Sequence, residues 1–241
     1  MINIIIGEGE NKNILKASQK FEKNNNINIK TVTTDKELND AILNPKIDAV
    51  IRGSLPSNNI IKNLKKTHPQ SKINRATIIN DKTHKFLITP VGIDEGNTLE
   101  NKIELIKQSI EFIKKIGKTP KIAILAKGRK DDKNRSNTID KSLNESEQLT
   151  KKLKKQYPNY QITNYYILIE KAINEKNNII IAPDGITGNI IFRTLVLVNQ
   201  WPSMGAITLG IPEIYIDTSR DQSEEGYERS IKLAYQLAKK Q

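Results

Sequence analysis

Several short stretches of this 241-residue chain combine residue types that can do chemistry. The first is Pro183-Asp184-Gly185-Ile186-Thr187-Gly188-Asn189, set between an isoleucine run and an apolar helical pattern. Its glycines, Gly188 among them, let backbone approach a ligand closely, and free amides at a helix start favour an anion. Asp184 can orient a ligand hydroxyl or amine, and Asn189 can hydrogen-bond it. Equally, Asp184 or Thr187 can simply cap the helix. The second stretch, Asp217-Thr218-Ser219-Arg220-Asp221, places the planar fork of Arg220 beside the Ser219 hydroxyl. That combination suits phosphate or carboxylate, although an Arg–Asp surface pair is the plain alternative. The third runs from Lys127 through Gly128 and Arg129 to Arg135. It can close over a phosphate-bearing substrate or lie as a solvated charge run. The fourth, Thr89 to Asn97, sets Asp94 beside Glu95, as acid–base groups, as Mg²⁺ ligands or as an acidic turn at a helix start. Arg52-Gly53-Ser54 closes a further strand and offers one more anion-binding loop. Gly7-Glu8-Gly9 lacks the third glycine of a dinucleotide fingerprint, where Lys12 stands, and reads as a tight strand–helix turn.

The elements that must position these loops alternate from end to end. Apolar runs at 2–6, 27–32, 47–51, 122–125 and 179–182 read as strands. Residues 75–79 and 85–89 read as a hairpin, and 206–209 and 214–216 as short strands. Helical patterns cover 13–23, 36–43, 58–66, 142–155, 188–199 and 224–239, with a short strand and a helix over 162–176. The clearest helix spans 99–116. Leu99, Ile103, Ile106, Ile110 and Ile113 mark one face, Asn97 and Glu100 suggest a capping box, and Gly117 with Pro120 gives the stop. This rhythm predicts a three-layer α/β/α fold around a mainly parallel sheet, with ligands received outside the carboxyl ends of the strands.

Composition removes whole classes of chemistry. The chain has no cysteine, which excludes disulfides, thiolate metal sites and a thiol nucleophile. Its two histidines, His68 and His84, stand far apart, so no histidine metal centre is expected. The opening MINIIIGEGE has no signal-peptide pattern, and no apolar run reaches membrane-spanning length. A cytoplasmic protein without membrane contact is expected. The net charge of +12 invites a polyanionic partner. However, the lysines are spread over nearly every helix and aromatics make up 5%, which argues against nucleic acid and for the bias of an AT-rich genome.

Taken together, the motifs resemble the phosphate acetyl/butyryltransferase family. Thr218-Ser219-Arg220 followed by Ser230-Ile231-Lys232-Leu233-Ala234 is similar to that family's end, as is the 179–195 stretch. The latter also resembles the phosphate acyltransferase of lipid synthesis. Pro90-Val91-Gly92-Ile93-Asp94-Glu95-Gly96, Gly128-Arg129-Lys130-Asp131-Asp132 and the run from Arg135 to Leu143 resemble a methanogen-specific branch, methanogenesis marker protein 4 or methyltransferase-related subunit X.

The resemblance implies an isocitrate/isopropylmalate-dehydrogenase-like fold with a cleft between two lobes, 1–97 plus 218–241 and 98–217, assembled as a homodimer. It implies an acyl-phosphate or coenzyme-A-like substrate. The expected ligand is therefore a small anionic metabolite bearing phosphate or a thiol cofactor such as coenzyme A or a coenzyme M-like group, and the sequence itself requires no resident cofactor. Its activity is transferase, labelled methyltransferase in the narrow branch. On that reading Arg220 and Arg129 clamp anionic oxygens, with Arg52, Ser54, Gly128 and Gly188 supporting them. Ser219 and Asn189 hydrogen-bond the substrate, and Asp184 or Asp94 orients it or acts as base. Where acetyltransferases carry a Ser/Thr-rich loop this chain has Ala126-Lys127-Gly128-Arg129. That departure keeps open a non-catalytic accessory subunit binding a metabolite or a methyltransferase partner.

Overall fold

The computed structural model describes residues 1–56 and 59–240. They divide into two compact units, Met1–Ile73 with Ser203–Gln241 and Asn74–Pro202. Unit 1 contains β1 (Ile2–Gly7), α1 (Asn13–Lys23), β2 (Ile27–Val32), α2 (Asp35–Ile42), β3 (Ala49–Ile51) and α3 (Ile60–Thr67). Its remaining elements are β9 (Ser203–Leu209), β10 (Tyr215–Asp217) and α8 (Glu224–Ala238). Unit 2 contains β4 (Asn74–Asn80), β5 (Lys85–Thr89), α4 (Leu99–Lys115), β6 (Lys121–Leu125) and α5 (Asn137–Gln156). It continues with β7 (Gln161–Tyr166), α6 (Ile169–Asn174), β8 (Ile179–Ile181) and α7 (Gly185–Phe192), which runs on as a π-helical turn, Arg193–Val198.

Strand order is β2-β1-β3-β10-β9 in unit 1 and β4-β5-β8-β6-β7 in unit 2. In each unit three of the four pairings are parallel, and the fourth, β10–β9 or β4–β5, is antiparallel. The expected cut at 97/98 would part β5 from β8, to which it is hydrogen-bonded. The expected cut at 217/218 would part β9 and β10 from β3. The units keep both pairings whole by dividing at 73/74 and 202/203.

The parallel strands are buried on both faces, as such strands require. Ile179, Ile180 and Ile181 are all sealed from solvent, as are Ala49, Val50 and Ile51. In unit 1, Ile5 and Val50 cluster with Leu38, Ile42, Ile60 and Leu64 of α2 and α3. Strand alternation therefore turns Ile4, Ile6 and Ile51 to the other face, where α8 packs on β1 and β3 and α1 packs on α8. Phe21 meets Tyr235 edge-on there, ring centroids 5.7 Å apart. In unit 2, α4 and α5 pack together against β8 and β6.

Three local expectations shift. Helix α4 is capped by Thr98, whose hydroxyl accepts from the Asn101 N–H, and not by Asn97, whose amide donates to the Asp94 carbonyl. Its buried face is broader than the isoleucine stripe and takes in Lys102 and Ser109. Helix α5 begins at Asn137 rather than at 142, because Ser136 caps it through the Ile139 N–H. Asn58, expected to open the third helix, and Ser57, at the end of the 52–57 loop, lie outside the described residues. No helix among the described residues is long and apolar enough to cross a membrane.

Candidate functional site

In unit 2 the register sets Thr89 beside Ile181 and Ile181 beside Ile124, so three strands end together. The loops that follow carry the 90–97, 127–135 and 183–189 motifs to one edge. Lys127 Nζ lies 2.7 Å from Asp184 Oδ2. The other carboxylate oxygen of Asp184 accepts from the Thr187 N–H at 2.8 Å, capping α7. Burial raises the Asp184 pKa, but the hydrogen bonds from Lys127 and Thr187 outweigh it and hold the group below the ordinary carboxylate range. Asp184 is therefore a permanent anion at neutral pH, poised for orientation more than for proton abstraction.

The α7 glycines answer to a close approach. A Cβ on Gly188 would stand 1.9 Å from the Pro90 carbonyl oxygen, and one on Gly185 would stand 1.7 Å from that of Gly92. Asn189 Nδ2 donates to the Val91 carbonyl at 2.9 Å. The first turn of α7 and the 90–92 backbone are thus packed as one piece. The Thr89–Pro90 peptide bond in that piece is cis.

The two carboxylates of the 90–97 loop both face Arg75. Glu95 is buried, takes the Arg75 Nε at 2.8 Å and also accepts the Arg75 N–H. Asp94 is exposed, 3.9 Å from the same guanidinium. The loop after β6 is drawn tight by Asp132, which accepts the Arg129 N–H at 2.7 Å and pairs with Arg135 at 3.0 Å. Gly128 is buried, its carbonyl accepting from the Ile167 N–H, while the Arg129 side chain is exposed with no ion-pair or hydrogen-bond partner among the described residues. A cavity of about 10 Å³, the size of one water, is lined by Lys102, Ser142, Glu145 and Pro183. Sequence reasoning missed the two cationic anchors, Arg75 and the buried Lys102, which pairs with Glu145 at 3.0 Å. Nothing in the spacing of either points to its distant partner.

Unit 1 gathers a second set in the same manner. Ile6 and Ile216 both pair with Ile51, bringing the 7–11, 52–55 and 217–222 loops to one edge. Arg52 Nη1 meets Asp217 Oδ1 at 2.7 Å, and its Nε donates to the Leu55 carbonyl. Ser54, buried, accepts the Gly9 N–H at 2.9 Å. Gly9 is needed there, since a Cβ would meet the Ser54 carbonyl oxygen at 2.3 Å. Tyr227, fully buried, has its pKa pushed up to about 12 chiefly by that burial. Its hydroxyl donates to the carbonyls of Ser219 and Arg220 at 3.1 and 2.9 Å, and Asn11 adds a second donor to the Arg220 carbonyl. The backbone under Arg220 is thus fixed while its guanidinium is exposed, with no partner among the described residues. In short, unit 2 brings together Asp184, Gly188, Asn189, Asp94, Gly128 and Arg129. Unit 1 brings together Arg52, Ser54, Ser219 and Arg220. Among the described residues no group of three or more histidines and carboxylates is placed to hold a metal.

By fold this is an α/β protein of the phosphotransacylase type. A branched-chain phosphotransacylase from Enterococcus faecalis superposes with TM-score 0.75 at 17% identity, covering 99% of each chain. The 4-hydroxythreonine-4-phosphate dehydrogenase of Klebsiella pneumoniae superposes with TM-score 0.65 at 12% identity, over 99% of this chain and 100% of that one. No family model matches the chain. Sequence narrows the placement. An uncharacterized methyltransferase of Methanocaldococcus jannaschii is 36% identical over 242 residues, 97% of each chain. The provisionally named methyltransferase mtx subunit X of Methanosarcina mazei is 37% identical over 193 residues, covering 80% of this chain and 68% of that protein. The chain belongs to this methyltransferase-related subunit X family of methanogens, as its motifs led one to expect.

Proposed function

We propose that the protein is a transferase-type protein that receives a small anionic substrate, bearing phosphate or a thiol cofactor, at the strand ends of unit 2. The observation that carries this reading is the Lys127–Asp184 contact at the start of α7. It sets a half-exposed ammonium beside helix-start amides, a combination that attracts anionic oxygen. Lys127 can turn from Asp184 to such an oxygen without unfolding anything. Arg129, exposed on the neighbouring loop, supplies a planar fork for it. Asn189 and Asp184 orient the substrate's neutral groups, and Asp94 is a further candidate for that role. Gly128 and Gly188 keep the surrounding backbone close. On unit 1, Arg220 and Ser219, with Arg52 and Ser54 shaping the adjoining loop, offer a second set of donors for anionic oxygen. The phosphotransacylase-like fold and the methyltransferase labels of the relatives support a transferase role.

A second reading, a non-catalytic subunit binding a metabolite or a methyltransferase partner, is favoured by one observation. Lys127 and Asp184 neutralise each other, as do Arg52 and Asp217. The subunit X name of the relatives points the same way.

The test is a thermal-shift series with inorganic phosphate, acetyl phosphate, coenzyme A and coenzyme M, since a ligand that binds only the folded chain raises its melting temperature. A shift with at least one of them is expected, abolished in Lys127→Ala and reduced in Arg129→Ala, each with its unliganded melting temperature nearly unchanged. No shift with any of them, or a shift that survives Lys127→Ala intact, overturns the proposal. Binding without turnover of an acyl or methyl donor selects the second reading.

A further inference from the structure

Unit 1 has a second concave place, at the opposite edge of its sheet from Arg52 and Asp217. The turn from α2 to β3 and the turn from β9 to β10 stand next to each other just ahead of the strand starts, and a cleft of about 300 Å³ opens between them. That volume is at the lower end of small-molecule sites. Ile42, Ile47 and Ile214 give the cleft an apolar wall, and Asp48 and Glu213 are its charged groups.

Two observations say what it would take. The first is charge. The chain carries 39 lysines and arginines and a net charge of +12, yet none of them lines this cleft. Even Lys46, between the lining residues Pro45 and Ile47, is not part of its wall. Two carboxylates beside an apolar wall, with no cation among them, repel anionic oxygen and attract an ammonium. The second is an unmet hydrogen bond. Glu213 Oε2 is sealed from solvent and makes no hydrogen bond. His68 Nε2, sealed likewise, stands 3.3 Å away, but the two are not aligned as donor and acceptor. A carboxylate oxygen held out of water without a donor is costly, so its survival in a folded chain points to compensation from outside. Asp48 is half engaged in the same way. Its Oδ2 accepts the Asn3 N–H at 2.7 Å, and its Oδ1 has no partner among the described residues.

We propose that this cleft binds a small primary amine, with the ammonium held by Glu213 and Asp48 and a short hydrocarbon body along Ile42, Ile47 and Ile214. Glu213 Oε1 is the oxygen such a ligand meets, and a cation there neutralises the charge that both oxygens share. An ammonium has three donors and no acceptor, which suits a pair of carboxylates. The apolar wall sets an alkylamine apart from a bare cation, since burying its methylenes adds to the binding. The cleft lies at the far edge of the unit 1 sheet from the strand-end loops, and its ligand has the opposite charge to theirs.

The test is carbon-13 methyl NMR of the full chain, isoleucine-labelled, at neutral pH and constant ionic strength. It is titrated with n-butylamine, n-butanol, butyrate and ammonium chloride. The Ile47 and Ile214 methyl signals should shift saturably with n-butylamine and stay in place with the other three at the same concentrations. Glu213→Gln should weaken n-butylamine about tenfold, the loss of one charge-assisted hydrogen bond. Glu170→Gln, at an exposed carboxylate of unit 2, should leave it unchanged. Absence of a saturable shift with n-butylamine overturns the proposal, as does a folded Glu213→Gln variant that binds it as the native chain does. An equal response to n-butanol would make the cleft an apolar groove only, and an equal response to ammonium chloride would mean an adventitious ion only. Either result also overturns it. Should Glu213→Gln fail to fold, Leu43→Trp decides. Leu43 lines the cleft and is 37% exposed, so an indole there fills the space from its rim. The n-butylamine shift should then be lost, and a shift retained in that variant counts against the site.

Discussion

The two units place a carboxylate–cation pair at the same kind of location, the C-terminal edge of adjacent parallel strands, and build it differently. In unit 1 Arg52 and Asp217 are 18% and 15% exposed and join loops 165 positions apart in sequence. In unit 2 Lys127 and Asp184 stand at the same 2.7 Å, but Lys127 is 40% exposed. A guanidinium held by a fixed fork, with its Nε also engaged, stays where it is, whereas an ammonium on a flexible stem exchanges partners. One pair therefore ties the fold, and the other is the one that the proposed function assigns to a ligand.

That contrast can be broken in three ways. The largest effect is expected from Arg52→Ala, which withdraws the cation from a sheltered carboxylate. A loss of about 3 kcal/mol is expected, read as a lower urea midpoint at unchanged slope. A loss as small as that of the Lys127 variant would erase the distinction between the units.

Asp81 in unit 2 gives an intermediate case, a sheltered carboxylate held mostly by hydrogen bonds. Burial raises its pKa, but the Thr83 hydroxyl, the His84 and Thr83 N–H groups and the His84 ring more than offset this and bring it to about 2. Its folded value lies below its ordinary value of 3.8. The stability it contributes is therefore complete above about pH 4 and is lost as pH falls towards about 2. Asp81→Asn should cost on the order of 2 kcal/mol at neutral pH and nearly nothing near pH 2, measured by urea unfolding at both.

The smallest change in stability belongs to Lys127→Ala, under about 1 kcal/mol because the pair is half in water. Its signature is instead in titration. Asp184 now has its pKa held down by Lys127, so its contribution persists above the ordinary carboxylate range and fades as pH falls. Without Lys127 the Asp184 carboxyl should titrate at higher pH than in the native chain, as followed by carbon-13 NMR. An unmoved titration would show that the Thr187 amide alone holds the charge.

Much of the fold could be read from period and punctuation. The helix at 13–23 and the strands at 27–32 and 85–89 fall where the apolar pattern puts them, because alternating burial imposes those periods directly. The start of α5 could not be read, since Ser136 caps the helix from within a run of charges that looks like loop. The loops of the candidate site were legible as residue types at strand ends, and the structure sets the 90–92, 127 and 184–189 segments against one another. Their partners were not legible. Lys102 is buried on a helix whose pattern leaves it outside the isoleucine stripe, and Arg75 reaches Glu95 twenty positions away.

Unit 1 is written in two instalments, with the whole of unit 2 between them. During synthesis unit 2 leaves the ribosome unbroken and can close on local contacts, as domains commonly do. Residues 1–73 must wait for residues 203–241. Until Tyr227, Ile231 and Ala234 of α8 arrive, the β1–β3 face bearing Ile4, Ile6 and Ile51 lacks the helix that packs on it. A nascent chain of this protein therefore carries an incompletely covered apolar sheet face until α8 has been made, and a chaperone that shields such faces would have its longest engagement on β1–β3.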